Sequence, residues 1–372
     1  MAASPVRVGE VLAEKYRVEE ILGQGGMGIV VAAWHLELEQ RVAVKFLLPE
    51  FAENREAAER FRREARAAVK IQSEHVARVV DVGTMNGGIP YMVMEFLSGH
   101  DLSTELERFG KFKIDDAVDC VFQTCMAMAE AHSKGVIHRD LKPANLFLTS
   151  RADGSRLVKV LDFGISKSLQ NDSMPQMALT RTSIMVGSPL YMSPEQLESS
   201  KQADARSDIW SLGVILFELL TGTLPFTGET LPQLVRSVLT GKHAKARELR
   251  GDVPERLSQV IDRCLETDKE KRISNVADLA DALAPFSLDG YRYSERIRKV
   301  LTLSGAAKLD AKTRFTGGIP AQTGSVAEES ADVSAPITDI SPGDTAPMTD
   351  GIPVYEASER QPSPNTIGRI AL

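Results

Sequence analysis

Hydrophobic and polar positions change period along this chain. Residues Tyr16 to Leu22 alternate loosely between apolar and polar, as a strand does. Ile29–Trp34, Val42–Lys45, Val79–Val82 and Tyr91–Met94 are short β-branched and apolar runs that predict further strands. The last two flank Asn86-Gly87, a hairpin turn pair. Between Val42–Lys45 and Val79–Val82, Arg55–Ile71 places Phe61, Ala65, Ala68 and Val69 at spacings of three and four, which predicts a helix with one buried face. From Asp101 the pattern is helical past Cys120 and Ala131. Leu146–Leu148 and Val158–Leu161 then form two strand-like runs around Asp153-Gly154, a second hairpin signal. Ser207–Gly213 opens an apolar helix.

The candidate chemistry sits at the ends of these runs. Asn145 directly precedes one buried strand and Asp162 directly follows its partner, so both polar groups stand on a rigid base. Asp140 lies five residues before Asn145. Two oxygen ligands at strand ends with a third carboxylate nearby suit a hard divalent cation carrying a phosphorylated ligand. Loop capping by Asp140 and Asn145 is the plain alternative. Gly23, Gly25 and Gly28 follow a GxGxxG spacing that a dinucleotide fold would use to open a helix. Here a strand signal follows, so the glycines predict a strand–turn–strand flap whose backbone N–H groups could approach phosphate oxygens. Lys45 ends an apolar run, where an unpaired ammonium would be costly. Glu64 shares the inner face of the 55–71 helix with Phe61 and Ala68, whereas Glu59 points away, which makes Glu64 the expected partner.

HRDLKPAN at 138–145 and DFG at 162–164 resemble the catalytic loop and metal-binding motif of eukaryotic-like protein kinases, and the resemblance runs over residues 16–286. LTRTSIMVGSPLYMSPEQ resembles bacterial members in particular. The resemblance implies an α+β, bilobal protein-kinase fold. Its N-lobe, an antiparallel sheet plus one helix, would span about 16–95, and a mainly helical C-lobe about 99–286. It implies a serine/threonine protein kinase using ATP and Mg2+, with Mn2+ as a substitute. Asp140 would orient the acceptor hydroxyl and take its proton, and Lys142 would neutralise the moving phosphoryl group. Asn145 and Asp162 would hold the metal; Lys45, placed by Glu64, would grip the α- and β-phosphates. Met94 would guard the base pocket, and the backbones of Glu95 and Leu97 would bond adenine. Leu22, Val30, Ala43 and Phe147 would sandwich it, although each could equally be plain core. Asp208 would cap the apolar helix and bond the catalytic loop, and Arg272 would pair with Glu195 of the SPE motif. Thr180 and Thr182 would be autophosphorylated and held by Arg139. Two departures from the family pattern, Ser188 for the usual Thr and Ser193 for the common Ala, bear on acceptor choice and loop closure. A pseudokinase scaffold would lack a catalytic residue, and none of Lys45, Glu64, Asp140, Asn145 or Asp162 is missing. A small-molecule phosphotransferase sits badly with the SPE motif, Arg272 and the long Ser/Thr-bearing loop.

Composition adds bounds. The 372 residues are 43% hydrophobic and 26% charged, and a net charge of −7 gives no support to nucleic-acid binding. Cys120, Cys125 and Cys264 show no metal spacing and fit a reducing compartment. No signal-peptide pattern opens the chain, and the run Ile209–Leu220, interrupted by Ser211 and Glu218, is too short for a membrane span, so a cytoplasmic protein is expected. Residues 1–15 read as a lead-in. Residues 287–372, with a short basic stretch at 291–300, read as a disordered tail poor in large apolar residues. That tail would serve as an autophosphorylation target or a docking strand for phosphothreonine-reading domains. Protein substrates are the expected partners, and the oligomeric state stays open.

Overall fold

The computed structural model describes residues 6–24, 28–85, 88–163, 188–199 and 202–303, and these build two lobes. In the smaller lobe, β1 (Val11–Leu12), β2 (Tyr16–Gln24), β3 (Gly28–His35), β4 (Gln40–Leu47), β5 (Val79–Thr84) and β6 (Pro90–Glu95) form one antiparallel sheet, ordered β1-β2-β3-β4-β6-β5. A short helix α1 (Pro49–Ala52) and the long α2 (Arg55–Lys70) interrupt it between β4 and β5. Strand periodicity sorts β4 by face. Val42, Val44 and Phe46 join Tyr16, Ile29 and Val31 in one core cluster, while Leu47 packs with Phe61 and Ala65 of α2. Lys45 shares the parity of Ala43 and Leu47 and so lies on the α2 side. Asn54 starts α2 by accepting the Glu56 and Ala57 amides at 2.9 and 3.1 Å. Phe61 and Ala65 are buried as the spacing predicts, but Val69 is exposed, because it lies about a quarter turn off their stripe.

The larger lobe is mostly helical. It comprises β7 (His100–Asp101), α3 (Leu102–Phe109), α4 (Ile114–Ser133), the hairpin β8 (Leu146–Ser150) and β9 (Arg156–Val160), α5 (Pro194–Glu198), α6 (Ala205–Thr221), α7 (Leu231–Thr240), α8 (Ala246–Leu249), α9 (Glu255–Cys264), α10 (Val276–Leu283) and α11 (Gly290–Leu303). Helices α4 and α6 are apolar nearly all round and form the centre of its core. Strands β7, β8 and β9 form a small sheet beneath the smaller lobe.

Two connections join the lobes. In front, residues 96–99 run from β6 to β7. Gly99 has φ +141°, and a Cβ there would fall 2.1 Å from the Leu148 carbonyl oxygen, so no side chain fits. Behind, the loop after α2 lies along β9: the Ala77 amide donates to Val160 O at 3.0 Å and the Val160 amide to His75 O at 2.8 Å. His75 is buried there, with Nδ1 3.1 Å from Val158 O, and burial pushes its pKa down to about 4.

Both expected outer boundaries move outward. Residues 6–15 are not a separate lead-in: Val6 and Leu12 are buried in the small-lobe core, and Leu12 pairs with Tyr16. The basic stretch 291–300 is not tail either. It lies within α11, where Ser294, Ile297 and Leu301 are buried and Tyr293 stacks on Phe122 of α4 with ring centroids 5.4 Å apart. The three-to-four spacing was present, but Arg292, Arg296 and Lys299 on the outer face masked it. Residues 304–372 and the turn pair Asn86-Gly87 lie outside the described residues. Among the described residues, no helix is long and apolar enough to cross a membrane.

A chain ending at residue 289 should melt well below one ending at 303. Loss of Ile297, Leu301 and the Tyr293 stack forfeits about 3 kcal/mol or more of apolar burial. Coincident thermal melting curves for the two truncations would show that α11 is not part of the stable unit.

Candidate active site

The facing lobes bring the expected polar residues together. Lys45 reaches from β4 into the space between α2 and β9. Its Nζ lies 2.7 Å from Asp162 Oδ1 and 3.5 Å from Glu64 Oε1. One ammonium thus serves two carboxylates, and it sits closer to Asp162 than to the partner the helix pattern predicts. Burial alone would depress the Lys45 pKa, but Asp162 and then Glu64 outweigh it and hold it above its usual value. Glu64 receives the weaker share of the ammonium. Its burial therefore dominates and pushes its carboxyl up to about 7, helped by the Asp162 charge.

The β8–β9 hairpin carries the other oxygen groups. Asn145 directly precedes β8 and Asp162 follows β9 by two residues. The Leu161 amide donates to Asn145 O at 2.8 Å, which ties the two positions together. Asn145 Nδ2 donates to the Asp140 backbone O at 2.7 Å, leaving its amide oxygen as the atom able to face a cation. Lys142 Nζ lies 3.7 Å from Asp140 Oδ2. Arg139 (φ +66°) and Asp162 (φ +47°) hold left-handed backbone that non-glycine residues rarely adopt.

The loop that carries Asp140 is fixed from below. Asp208, fully buried in the first turn of α6, accepts the His138 amide at 3.0 Å, the Arg139 amide at 2.9 Å and His132 Nε2 at 2.7 Å. Burial would raise its pKa; the His132 bond and the other donors reverse this and lower it. Asp208 does not cap α6, however. Asp204 does, accepting the Arg206 amide at 2.8 Å, because α6 begins at Ala205, two residues before the apolar run that opens at Ser207. His138 packs against Phe163 at 4.8 Å and hydrogen-bonds Leu161 O at 3.0 Å. Gln196, which no sequence signal marked, donates to Arg139 O at 2.9 Å. Its neighbour Glu195 forms a two-pronged pair with Arg272 at 2.8 and 3.0 Å, and Arg272 is itself stacked over Trp210.

Next to Asp162 an apolar recess opens between the lobes. Leu22, Val30, Ala43 and Phe147 fall into one cluster there, with Met94 and Leu97 against it. Glu95 lines the recess, as do Ala77 and Leu161, which sequence reasoning missed. Leu161 could have been found, since it adjoins Asp162; Ala77 lies in a loop without periodicity. Gly23 pairs with Val30 across β2–β3, which is the strand–turn–strand flap and not a helix opening. Gly28 is required for another reason: a Cβ there would meet Phe46 O at 2.8 Å. Gly25, Thr180 and Thr182 lie outside the described residues. Arg139 Nε is buried with no hydrogen-bond partner among the described residues.

A carboxylate and an amide oxygen are hard donors that suit a divalent cation, and a flanking lysine beside an apolar slot suits a phosphorylated ligand with an apolar end. Residues 16–283 match the family described as protein kinase domain. A serine/threonine-protein kinase of Myxococcus xanthus is 39% identical over 259 residues, covering 69% of this chain and 46% of that one. A probable serine/threonine-protein kinase of Clostridium acetobutylicum is 35% identical over 277 residues, covering 74% and 40%. The chain therefore spans less than half the length of these curated relatives. The crystal structure of the Mycobacterium tuberculosis PknI kinase domain superposes with a TM-score of 0.57 at 26% identity, covering 75% of this chain and 99% of that one.

The shared ammonium has a measurable consequence. Glu64 titrates higher in the folded chain than in the unfolded one, so its stabilising contribution is complete below the unfolded pKa of about 4.3 and is lost as pH rises through about 7. Denaturant unfolding should therefore show Glu64→Gln gaining stability relative to wild type between about pH 5 and pH 8. A constant difference across that range would mean that Glu64 is already ionised at the lower pH.

Proposed function

The chain belongs to the protein kinase family, and on that premise we propose that it transfers the γ-phosphoryl group of ATP to serine and threonine hydroxyls of protein substrates. One observation carries this reading: Lys45, Glu64, Asp162, Asn145, Asp140 and Lys142 converge from four separated stretches onto one face of the cleft beside the apolar recess. A non-catalytic scaffold has no support from such a complete set.

In this scheme the adenine lies in the recess between Val30 and Ala43 above and Phe147 below. Met94 limits its depth, and the backbones of Glu95 and Leu97 meet its edge. The Gly23–Gly28 flap covers the phosphates. Lys45 grips the α- and β-phosphates, turning to them from Asp162. Asn145 and Asp162 would hold Mg2+, or Mn2+ in its place, which would supply positive charge to offset that of the phosphates. Asp140 orients the acceptor hydroxyl and takes its proton as the new O–P bond forms and the bond from the γ-phosphorus to the β-phosphate oxygen breaks, releasing ADP. Lys142 stabilises the negative charge on the moving group. Positioning and charge neutralisation supply most of the rate enhancement in such a site. The three buried thiols are all unpaired, which fits a cytoplasmic setting.

Regulation by the loop before Ser188 belongs to the same reading. A phosphate on Thr180 or Thr182 offers nearly two negative charges to a guanidinium. The buried Nε of Arg139, which has no hydrogen-bond partner among the described residues, supports that assignment. Residues 304–372, rich in Ser and Thr, are candidate autophosphorylation sites for phosphothreonine-reading partners.

Asp140→Asn should lower phosphoryl transfer by about 100-fold or more while ATP still binds, since only the proton acceptor is lost. Phosphoamino-acid analysis after incubation with labelled Mg2+-ATP checks both the rate and the acceptor type. Near-wild-type turnover would remove Asp140 from this role.

Thr180→Ala combined with Thr182→Ala should lower activity strongly with ATP affinity nearly unchanged. Arg139→Ala should make activity insensitive to phosphatase. A double alanine variant as active as the phosphorylated wild type would exclude a phospho-switch in this loop.

A further inference from the structure

Residues 96–98, which lead from the small lobe to the large one, are held at both ends. At the far end Gly99 rests against Leu148 O, and the Thr149 hydroxyl donates to Ser98 O at 2.7 Å. At the near end the Glu95 carboxylate is fixed by two donors. Its Oε1 accepts the Arg78 amide and the Lys159 ammonium, each at 2.7 Å, while the Glu95 amide donates to Arg78 O at 3.0 Å. Glu95 ends β6 in the small lobe, and Lys159 lies on β9 in the large lobe. The Lys159 and Glu95 side chains are only 12% and 24% exposed, so the pair is shielded well beyond a surface ion pair.

Strand periodicity explains why Lys159 can do this. Val158 and Val160 point into the large-lobe core, which turns Lys159 to the opposite face. In the β8–β9 register Lys159 lies opposite Phe147, in the recess cluster, and Asp162 follows three residues later. One short strand therefore sets both the carboxylate expected to hold the metal and the near end of the 96–98 segment.

We propose that Lys159 is a positioning residue for the nucleotide base, acting through the Glu95 carboxylate on the backbone that borders the recess. This rests on the phosphotransfer reading above. Backbone groups can distinguish a 6-amino from a 6-oxo purine only if they stay fixed, because the two bases present opposite donors and acceptors at that edge. Without the ammonium, Glu95 keeps only the Arg78 amide, and residues 95–97 lose their tie to the large lobe. Asp140 and Arg139 are held by separate bonds from Asp208 and Gln196, so the chemical groups stay in place.

The test compares wild type, Lys159→Met and Lys159→Arg as full chains, using ATP and GTP in steady-state transfer and in calorimetric titrations. Lys159→Met should raise KM and Kd for ATP about fivefold and cut the ATP-over-GTP preference by a similar factor, with kcat within about twofold and an unchanged melting curve. Lys159→Arg, which keeps the charge, should restore most of the preference. Unchanged KM, Kd and preference in Lys159→Met would overturn the proposal. So would equal losses for both nucleotides, or a loss that follows a lowered melting temperature. Wild type that transfers no phosphate would instead overturn the phosphotransfer reading, while the titrations still decide the role of Lys159.

Discussion

A carboxylate with no access to water holds the catalytic loop in place. Asp208 receives two backbone amides from the His138–Arg139 corner and a ring N–H from His132 on α4. A buried charge of this kind is tolerated only when its oxygens are saturated by donors. The saturation runs both ways: Arg139 can keep a left-handed backbone because its amide is held at one end and its carbonyl, by Gln196, at the other. Asp140 is thus presented by a loop whose strain is carried by α4, α5 and α6, not by the β8–β9 hairpin. The Glu195–Arg272 pair fastens α5 in turn to the chain after α9.

The upper half of the cleft is built on competition instead of saturation. Lys45 divides its charge between Asp162 and Glu64, and the shorter contact goes to the residue on the lower lobe. In this state the lysine acts as a clasp between lobes. A ligand whose phosphates draw Lys45 away would free Asp162 for other contacts and leave Glu64 as the remaining protein partner. The site is therefore poised so that ligand entry changes which carboxylate the ammonium serves. Coulomb energy in a partly dry cleft is large enough for that exchange to matter.

Much of this was legible in the residues because period and chemistry agreed. Runs such as Val42–Lys45 and Val158–Leu161 gave strands, and the side chains at their ends fell where strand geometry puts them. Glu64 was legible through its helical spacing from Phe61. What escaped had identifiable causes. Alpha-helical α11 hides its apolar stripe under arginines, and the strand within residues 6–15, Val11–Leu12, is too short for any periodicity to register. Asp204 and not Asp208 caps α6, because an Asp one turn inside a helix looks the same in sequence as an Asp at its start. Gln196, Ala77 and the Lys159–Glu95 tie depend on long-range approach, to which a linear pattern is blind. The closer contact of Lys45 with Asp162 likewise needs the lobes in place before it exists.

The cysteines carry one further consequence. All three lie in α4 and α9 with no solvent exposure to speak of, and burial pushes the Cys120 and Cys264 thiols up to about 12 and Cys125 in the same direction. A thiol reacts as its thiolate, so the folded chain offers no reactive thiolate to an alkylating reagent or to peroxide at neutral pH. Opening of the large-lobe core exposes all of them. Thiol modification of this protein is therefore a clock for large-lobe opening, and the protein needs no engineered label to be timed.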